Sequence, residues 1–209
     1  GTSSVKIILI DELQRTIGSA SADLSVQRPQ TGWSEQDPVS WISATNLAMM
    51  ELKQTHAKSL SKVQAIGLSG HMHGATLVDK SDNVLRPCML WNDTRSHVEA
   101  SLMDQQPVYR KISGNIVFPG FTAPKIDWVR TNEPDIFKQI SKILLPKDFL
   151  RLWLTGEYVS DMSDSSGTSW LNVAKRDWSD ELLGLCELDR GFMPSLVEGT
   201  DASGVIKDS

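Results

Sequence analysis

Alternation of apolar and polar positions predicts a β-hairpin at the start of the chain. The apolar run at residues 5–10 and the alternating segment at residues 16–24 flank the polar stretch at residues 11–15. Two strand-like segments separated by a short polar turn are typical of antiparallel neighbours. The sequence therefore predicts that these two segments pair with each other.

A helix is predicted after the polar loop that follows the hairpin. Asp37 is placed to cap it, and Pro38 occupies its first position, where a missing backbone N–H costs nothing. Apolar residues then recur at helical spacing, at Trp41, Ala44, Ala48 and Leu52. One face of this helix is predicted to be buried.

The rest of the chain mixes short strand and helix patterns. Strands are predicted near residues 65–69, 75–79, 84–90 and 142–145, helices near residues 94–104, 124–130, 134–140, 147–154 and 179–186, and a loop over residues 160–169. Strands followed by a mixture of helices and strands predict one α/β domain with a mixed sheet and a helical insertion.

Composition and charge restrict the classes of partner. The 209 residues carry a net charge of −5 and no run of Lys and Arg, which argues against a nucleic-acid surface. Cys88 and Cys186 are far apart and form no Cys-x-x-Cys pair, so we expect a reduced, cytoplasmic chain without a disulfide framework. The apolar runs are too short to span a bilayer, so no membrane partner is expected.

The glycine-bounded turn at residues 70–74 is the first candidate site, because it carries His71 and His73 between two predicted strands. Glycines let a backbone approach a ligand closely, and imidazoles supply a donor and an acceptor. A His-x-His pair also occurs in zinc hydrolases, but His56 and His97 lie elsewhere and zinc needs three or four ligands, so no metal site is predicted. A histidine bonded only within the fold is the alternative, and it applies more to His71 than to His73.

Other candidate segments have alternatives that the sequence leaves open. The turn at residues 1–3 could bind phosphate, although small polar turns commonly serve as caps. Asp93 and Arg95, beside Trp91, could contact a ligand or form a local ion pair that orients the following helix. Asp161 and Asp164 lack the spacing of a calcium loop, and we expect them to form side-chain-capped turns.

Seven segments in order resemble the N-terminal domain of the FGGY family of carbohydrate kinases, and within it the bacterial xylulose kinases. They are Gly-Thr-Ser at 1–3, Trp-Ser-Glu-Gln-Asp-Pro at 33–38, residues 70–79, Leu-Trp-Asn-Asp-Thr-Arg at 90–95, Pro-Gly-Phe-Thr-Ala-Pro-Lys at 119–125, Leu-Pro-Lys-Asp-Phe-Leu at 145–150 and residues 161–178. Together they cover almost the whole chain.

The resemblance implies an actin-like, ribonuclease-H-like fold and the phosphorylation of D-xylulose by ATP with Mg²⁺. It implies that the sugar is bound by Met72, His73, Trp91, Asp93, Arg95 and Phe121, and that the phosphate end of ATP is bound by Gly1, Thr2 and Ser3. The Met72-His73 pair favours a ketopentose over glycerol, since glycerol kinases of the family carry Arg-Glu there. Xylulose kinases usually have Gln where this chain has His71.

The resemblance also implies that residues 1–209 are the sugar-binding domain of a larger enzyme, truncated at both ends and without its nucleotide-binding domain. An Asp that helps to position Mg²⁺ would precede Gly1, and the Asp that acts as general base would follow Ser209. No catalytic residue is therefore assigned within the chain, which we expect to be inactive alone. A homodimer is a further expectation.

Rival functions remain at this stage. Another FGGY kinase would act on a ribulose, a fuculose, gluconate or glycerol. A non-catalytic sugar-binding domain would bind a sugar without phosphoryl transfer, and a metal-dependent hydrolase would need a third ligand beside His71 and His73.

Overall fold

The computed structural model describes residues 1–207, and it begins with the predicted hairpin. Strand β1 (Ser4–Ile10) pairs antiparallel with β2 (Thr16–Asp23), with a register shift between Leu9 and Ile10. Asp11 stabilises the turn by accepting hydrogen bonds from the backbone N–H groups of Leu13 and Arg15, both at 2.9 Å. The prediction from alternation is confirmed.

Helix α1 (Pro38–Leu60) is capped by Asp37, whose Oδ1 accepts from the Val39 N–H at 2.9 Å. The predicted apolar face is buried, and it packs partly on the hairpin, where Ala48 and Leu52 meet Ala20. Burial of this face holds the hairpin against the rest of the domain.

Four short strands form two neighbouring antiparallel pairs. Strand β3 (Glu35–Gln36) pairs with β5 (Cys88–Met89), and β4 (Thr76–Val78) pairs with β6 (Lys142–Leu144), in both cases antiparallel. A bridge between Ala75 and Met89 connects the two pairs. Strands β4 and β5 are fully buried, so residues 70–74, which precede β4, and Trp91, which follows β5, are anchored to the core.

Helices dominate the remaining chain. They are α2 (His97–Asp104), α3 (Pro107–Ser113), α4 (Thr122–Asn132), α5 (Pro134–Phe137), α6 (Pro146–Thr155), α7 (Met162–Ser165) and α8 (Asp180–Gly184). The intervening strands are β7 (Val159–Asp161), β8 (Leu171–Asn172), β9 (Asp177–Trp178) and β10 (Ser195–Val197), with β7 and β10 parallel and β8 and β9 antiparallel. Parallel and antiparallel pairs in one α/β domain agree with the predicted fold class. Within residues 1–207 no helix is both long and apolar enough to cross a bilayer.

Two predicted elements were wrong, and the start of a third was misplaced. Residues 65–69 form no strand: they find no backbone partner among the described residues, and Ile66 is half exposed, whereas a strand needs a neighbour to bond. Helix α2 begins at His97 instead of residue 94, because residues 91–96 form turns around Asp93. Residues 160–169 are no loop, since they contain the end of β7, helix α7 and a 3₁₀ turn, Ser166–Thr168.

The unpaired segment at residues 65–69 leads into residues 70–74 of the candidate site.

Strand β1 pairs only with β2 among the described strands, so its other edge has no strand partner there. The boundary predicted at Ser209 lies outside the described residues.

Candidate functional site

An open groove of about 600 Å³ lies where residues 1–2, just before β1, meet the turn at residues 70–74 and Trp91, just after β5. It is lined by Gly1, Thr2, Ser69, Gly70, His71, Met72, His73 and Trp91. Five of the residues predicted to bind ligand, from three separate segments, therefore share one groove. A site for a small polar molecule needs this combination of apolar walls and a few convergent polar groups.

His73 is held in an unusual backbone conformation. Its φ is +64°, in the left-handed region that non-glycine residues seldom adopt. The imidazole lies against Gly167, and its centroid is 4.6 Å from that of the Phe121 ring. Burial, with a further contribution from the charge of Lys125, lowers the pKa of His73 to about 4. The ring is therefore neutral at pH 7, with one nitrogen to donate and one to accept.

Trp91 and Thr2 join the two sides of the groove. The indole N–H of Trp91 donates to Thr2 Oγ1 at 3.1 Å, and the Gln36 side chain donates to the Thr2 carbonyl at 2.6 Å. Since the Thr2 hydroxyl accepts from Trp91, its own hydrogen remains free to donate. Trp91 and Met72 are each 45% exposed and supply the apolar walls. Ser3 is exposed beside the groove, and its carbonyl accepts from Leu24 N–H.

Asp93 and Arg95 lie behind the groove in a buried ionic network. Asp93 is fully buried and accepts from the Ser34 N–H at 2.7 Å and from Arg95 Nη2 at 2.7 Å. Arg95 also pairs with Glu35 at 2.7 Å, and its guanidinium stacks 3.6 Å above the Trp33 ring. These contacts connect the segment that carries Trp91 to residues 33–35. Direct contact with a ligand stays a prediction for both.

His71 and Lys125 are functional candidates that sequence reasoning did not assign. His71 lines the groove but is only 8% exposed, and burial lowers its pKa to about 4. Its ring lies edge-on to Trp41, with centroids 5.6 Å apart. Lys125 is fully buried beneath His73 and donates to the His73 carbonyl at 2.9 Å; burial lowers its pKa to about 7. A lysine inside a helix gives no sequence signal of burial, although it belongs to one of the quoted motifs.

A buried lysine forms ion pairs with three acidic residues near the groove. Lys147 pairs with Asp148 at 2.7 Å, with Asp161 at 2.8 Å and with Asp164 at 3.3 Å. Asp161 also caps α7 by accepting from the Asp164 N–H at 3.0 Å, so the predicted capped turn is confirmed. Across residues 1–207 no three His, Cys, Asp or Glu side chains converge in a way that could hold a metal ion.

Comparison with known protein families shows to which family this chain belongs. Residues 1–209 match the N-terminal domain of the FGGY family of carbohydrate kinases. The chain belongs to the FGGY family. Its fold is accordingly the actin-like fold that the sequence motifs imply.

Relatives of this FGGY chain are kinases. It is 52% identical over 207 residues to the xylulose kinase of Escherichia coli K12, an alignment that covers 99% of this chain and 42% of the relative. A crystal structure of a "xyloylose kinase" from Brucella ovis superimposes with a TM-score of 0.98 at 60% identity, covering 99% of this chain and 43% of that one. The chain thus spans about two fifths of the length of these relatives.

More distant FGGY structures share the fold alone. A gluconate kinase from Lactobacillus acidophilus superimposes with a TM-score of 0.92 at 23% identity, covering 99% of this chain and 42% of that one. Because a shared fold does not fix a function, any ligand of the groove has to be argued from its side chains.

Proposed function

We propose that residues 1–209 form the sugar-binding part of an ATP-dependent kinase that phosphorylates D-xylulose at its terminal hydroxyl, giving D-xylulose 5-phosphate. One observation carries the proposal: Met72 and His73 line the same groove as Thr2 and Trp91. The 52% identity to a xylulose kinase supports a ketopentose as the substrate. The activity belongs to the whole protein of which these residues are a part.

Each lining residue has a chemical task in this proposal. Met72 and Trp91 pack against the carbon face of the sugar, and neutral His73 forms a hydrogen bond with a hydroxyl. Phe121, which is 9% exposed, packs against the His73 ring and restricts its movement. Because phosphoryl transfer depends mainly on positioning and charge stabilisation, holding the attacking hydroxyl in place is the main contribution of this domain.

The phosphate end of ATP is assigned to the turn at residues 1–3. Gly1 and Thr2 line the groove, and the Thr2 hydroxyl hydrogen is free to donate to a phosphate oxygen, with Ser3 beside it. ATP supplies the phosphoryl group that is transferred. No carboxylate is among the described residues that line the groove, so we assign no Mg²⁺ ligand and no general base to this chain.

A panel of sugars tests the substrate. The full-length protein is assayed with ATP, Mg²⁺ and D-xylulose, D-ribulose, fuculose, gluconate or glycerol. We expect the highest kcat/KM with D-xylulose, and we expect Met72→Arg together with His73→Glu to lower it. A higher value with another sugar would move the protein elsewhere in the family, and sugar binding without turnover would indicate a non-catalytic domain.

Location and assembly are secondary proposals. A kinase that draws on cellular ATP has to work in the cytoplasm, and cell fractionation tests this. The homodimer is tested by sedimentation of the full-length protein, for which a monomeric mass would be the contrary result.

A further inference from the structure

Lys125 has a buried amino group whose described partners are carbonyl oxygens. Its side chain is fully buried, and its Nζ donates to the carbonyls of Gly120 at 2.7 Å and His73 at 2.9 Å. Within residues 1–207 no carboxylate lies within ion-pair distance of this Nζ, as the salt bridges of the domain involve other lysines and arginines. A buried polar group without a hydrogen-bond partner is costly, so the two carbonyls are what satisfies this amino group inside the domain.

The first carbonyl belongs to the strained residue of the groove. His73 has the left-handed φ of +64°, and its carbonyl accepts from Thr122 Oγ1 at 3.3 Å in addition to Lys125. Both donors lie on α4. A backbone conformation that a non-glycine residue seldom adopts persists only where its surroundings fix it. The two hydrogen bonds fix this peptide, and with it the direction of the imidazole.

The second carbonyl belongs to the turn that carries the aromatic wall. Gly120 packs so closely on the Trp91 carbonyl that an added Cβ would lie 2.3 Å from that oxygen. Phe121 follows directly, and its ring lies against the His73 ring at a tilt of 46°. The Lys125 amino group therefore ties together the two backbone segments that carry His73 and Phe121, and the second of these also packs on Trp91.

We propose that Lys125 is a positioning residue of the sugar site, which holds His73 and Phe121 in register through its two carbonyl bonds without touching the sugar. The inference rests on the proposed function, since it concerns the same groove. It goes further because it states that Lys125, a buried residue of α4, contributes to the affinity of the groove for the sugar.

Sugar titration of the full-length protein tests this role. Lys125→Met keeps the length of the side chain and removes both hydrogen bonds to the carbonyls. Binding of D-xylulose is followed by tryptophan fluorescence, since Trp91 lines the groove. Lys142→Met is the matched control, because Lys142 also donates to two carbonyls, those of Gly191 at 2.7 Å and Met193 at 3.4 Å, and it does not line the groove. We expect the Kd to rise at least tenfold for Lys125→Met and less than twofold for Lys142→Met.

A double-mutant cycle separates positioning from general destabilisation. If Lys125 acts through His73, Lys125→Met should add less than twofold to the Kd of a His73→Ala protein. An undiminished tenfold effect in that background, or an unchanged Kd in the single variant, would overturn the proposal. Should Lys125→Met fail to fold, Lys125→Leu, which also lacks a donor, is used with the same criteria.

A measurement without sugar distinguishes this inference from the proposed function. If the wild-type protein binds no D-xylulose, the proposed function is wrong, and the imidazole NMR signals of His73 still report on the lysine. We expect these signals to shift in Lys125→Met and to keep their positions in Lys142→Met. Unchanged His73 signals in Lys125→Met would refute the positioning role whatever the ligand is.

Discussion

The imidazole of His73 lies directly on the backbone of Gly167. A Cβ built at residue 167 would fall 2.2 Å from His73 Cε1 and 2.5 Å from its Nδ1. Since real Cβ atoms essentially never approach so closely, the histidine occupies space that only glycine leaves open. The 3₁₀ turn of residues 166–168 thereby forms a wall of the position taken by His73.

Gly167→Ala should therefore weaken sugar binding by displacing His73. We expect the KM for D-xylulose in the full-length protein to rise about tenfold, which corresponds to about 1.4 kcal/mol. Gly184→Ala is the control, because a Cβ there meets no atom within 4 Å and the residue ends α8. An identical KM for both variants would mean that the His73 ring can move aside without loss.

Asp93→Ala should destabilise the fold by breaking a buried ionic network. The Asp93 carboxylate satisfies the Ser34 N–H and pairs with Arg95, and removal of one partner of a buried pair typically costs about 3–5 kcal/mol. Urea unfolding measures the change. Asp135→Ala removes an ion pair to Lys138 in which the Asp135 side chain is 91% exposed, and it should cost less than about 1 kcal/mol. A loss of similar size for both variants would rule out the network as a source of stability.

Acidification should destabilise the protein partly through His71. Burial lowers its pKa to about 4 from 6.5, so the unfolded chain binds a proton at a higher pH than the folded chain does. Stability therefore falls as the pH is lowered from about 6.5 to about 4, by roughly 3 kcal/mol from this residue. The difference between wild type and His71→Gln in urea unfolding, measured across this range, isolates the effect because other groups titrate in both proteins. Parallel pH profiles would show that His71 is not desolvated.

Local signals predicted the parts of the fold that local chemistry controls. Asp37 and Pro38 marked the start of α1, and α6 ends at Thr155, one residue past its predicted end, followed by Gly156 with a left-handed φ of +80°. The segments that line the groove were also recognisable, because glycines and histidines cluster at residues 70–74 and the motif around Trp91 follows. Their common location depended on the family resemblance.

Tertiary contacts decided the rest. Residues 65–69 have a strand pattern, but no described neighbour bonds to them. Small polar residues at 160–169 suggested a loop, whereas Lys147 pairs with both Asp161 and Asp164 and holds the segment in place. Lys125 has the sequence character of a surface residue, and only the packing of α4 beneath His73 buries it. Contacts between distant segments of this kind leave no periodic signal.

Replacement of His73 tests the central claim most directly. Steady-state kinetics with D-xylulose, ATP and Mg²⁺ are measured for full-length His73→Ala, with His97→Ala as the control because His97 is exposed at the start of α2 and does not line the groove. Loss of one buried hydroxyl contact should cost about 1–3 kcal/mol, so kcat/KM should fall roughly 5- to 150-fold, with a higher KM and a lower kcat. The control should match the wild type. An unchanged kcat/KM in His73→Ala would remove His73 from the sugar site and contradict the proposed function of the groove.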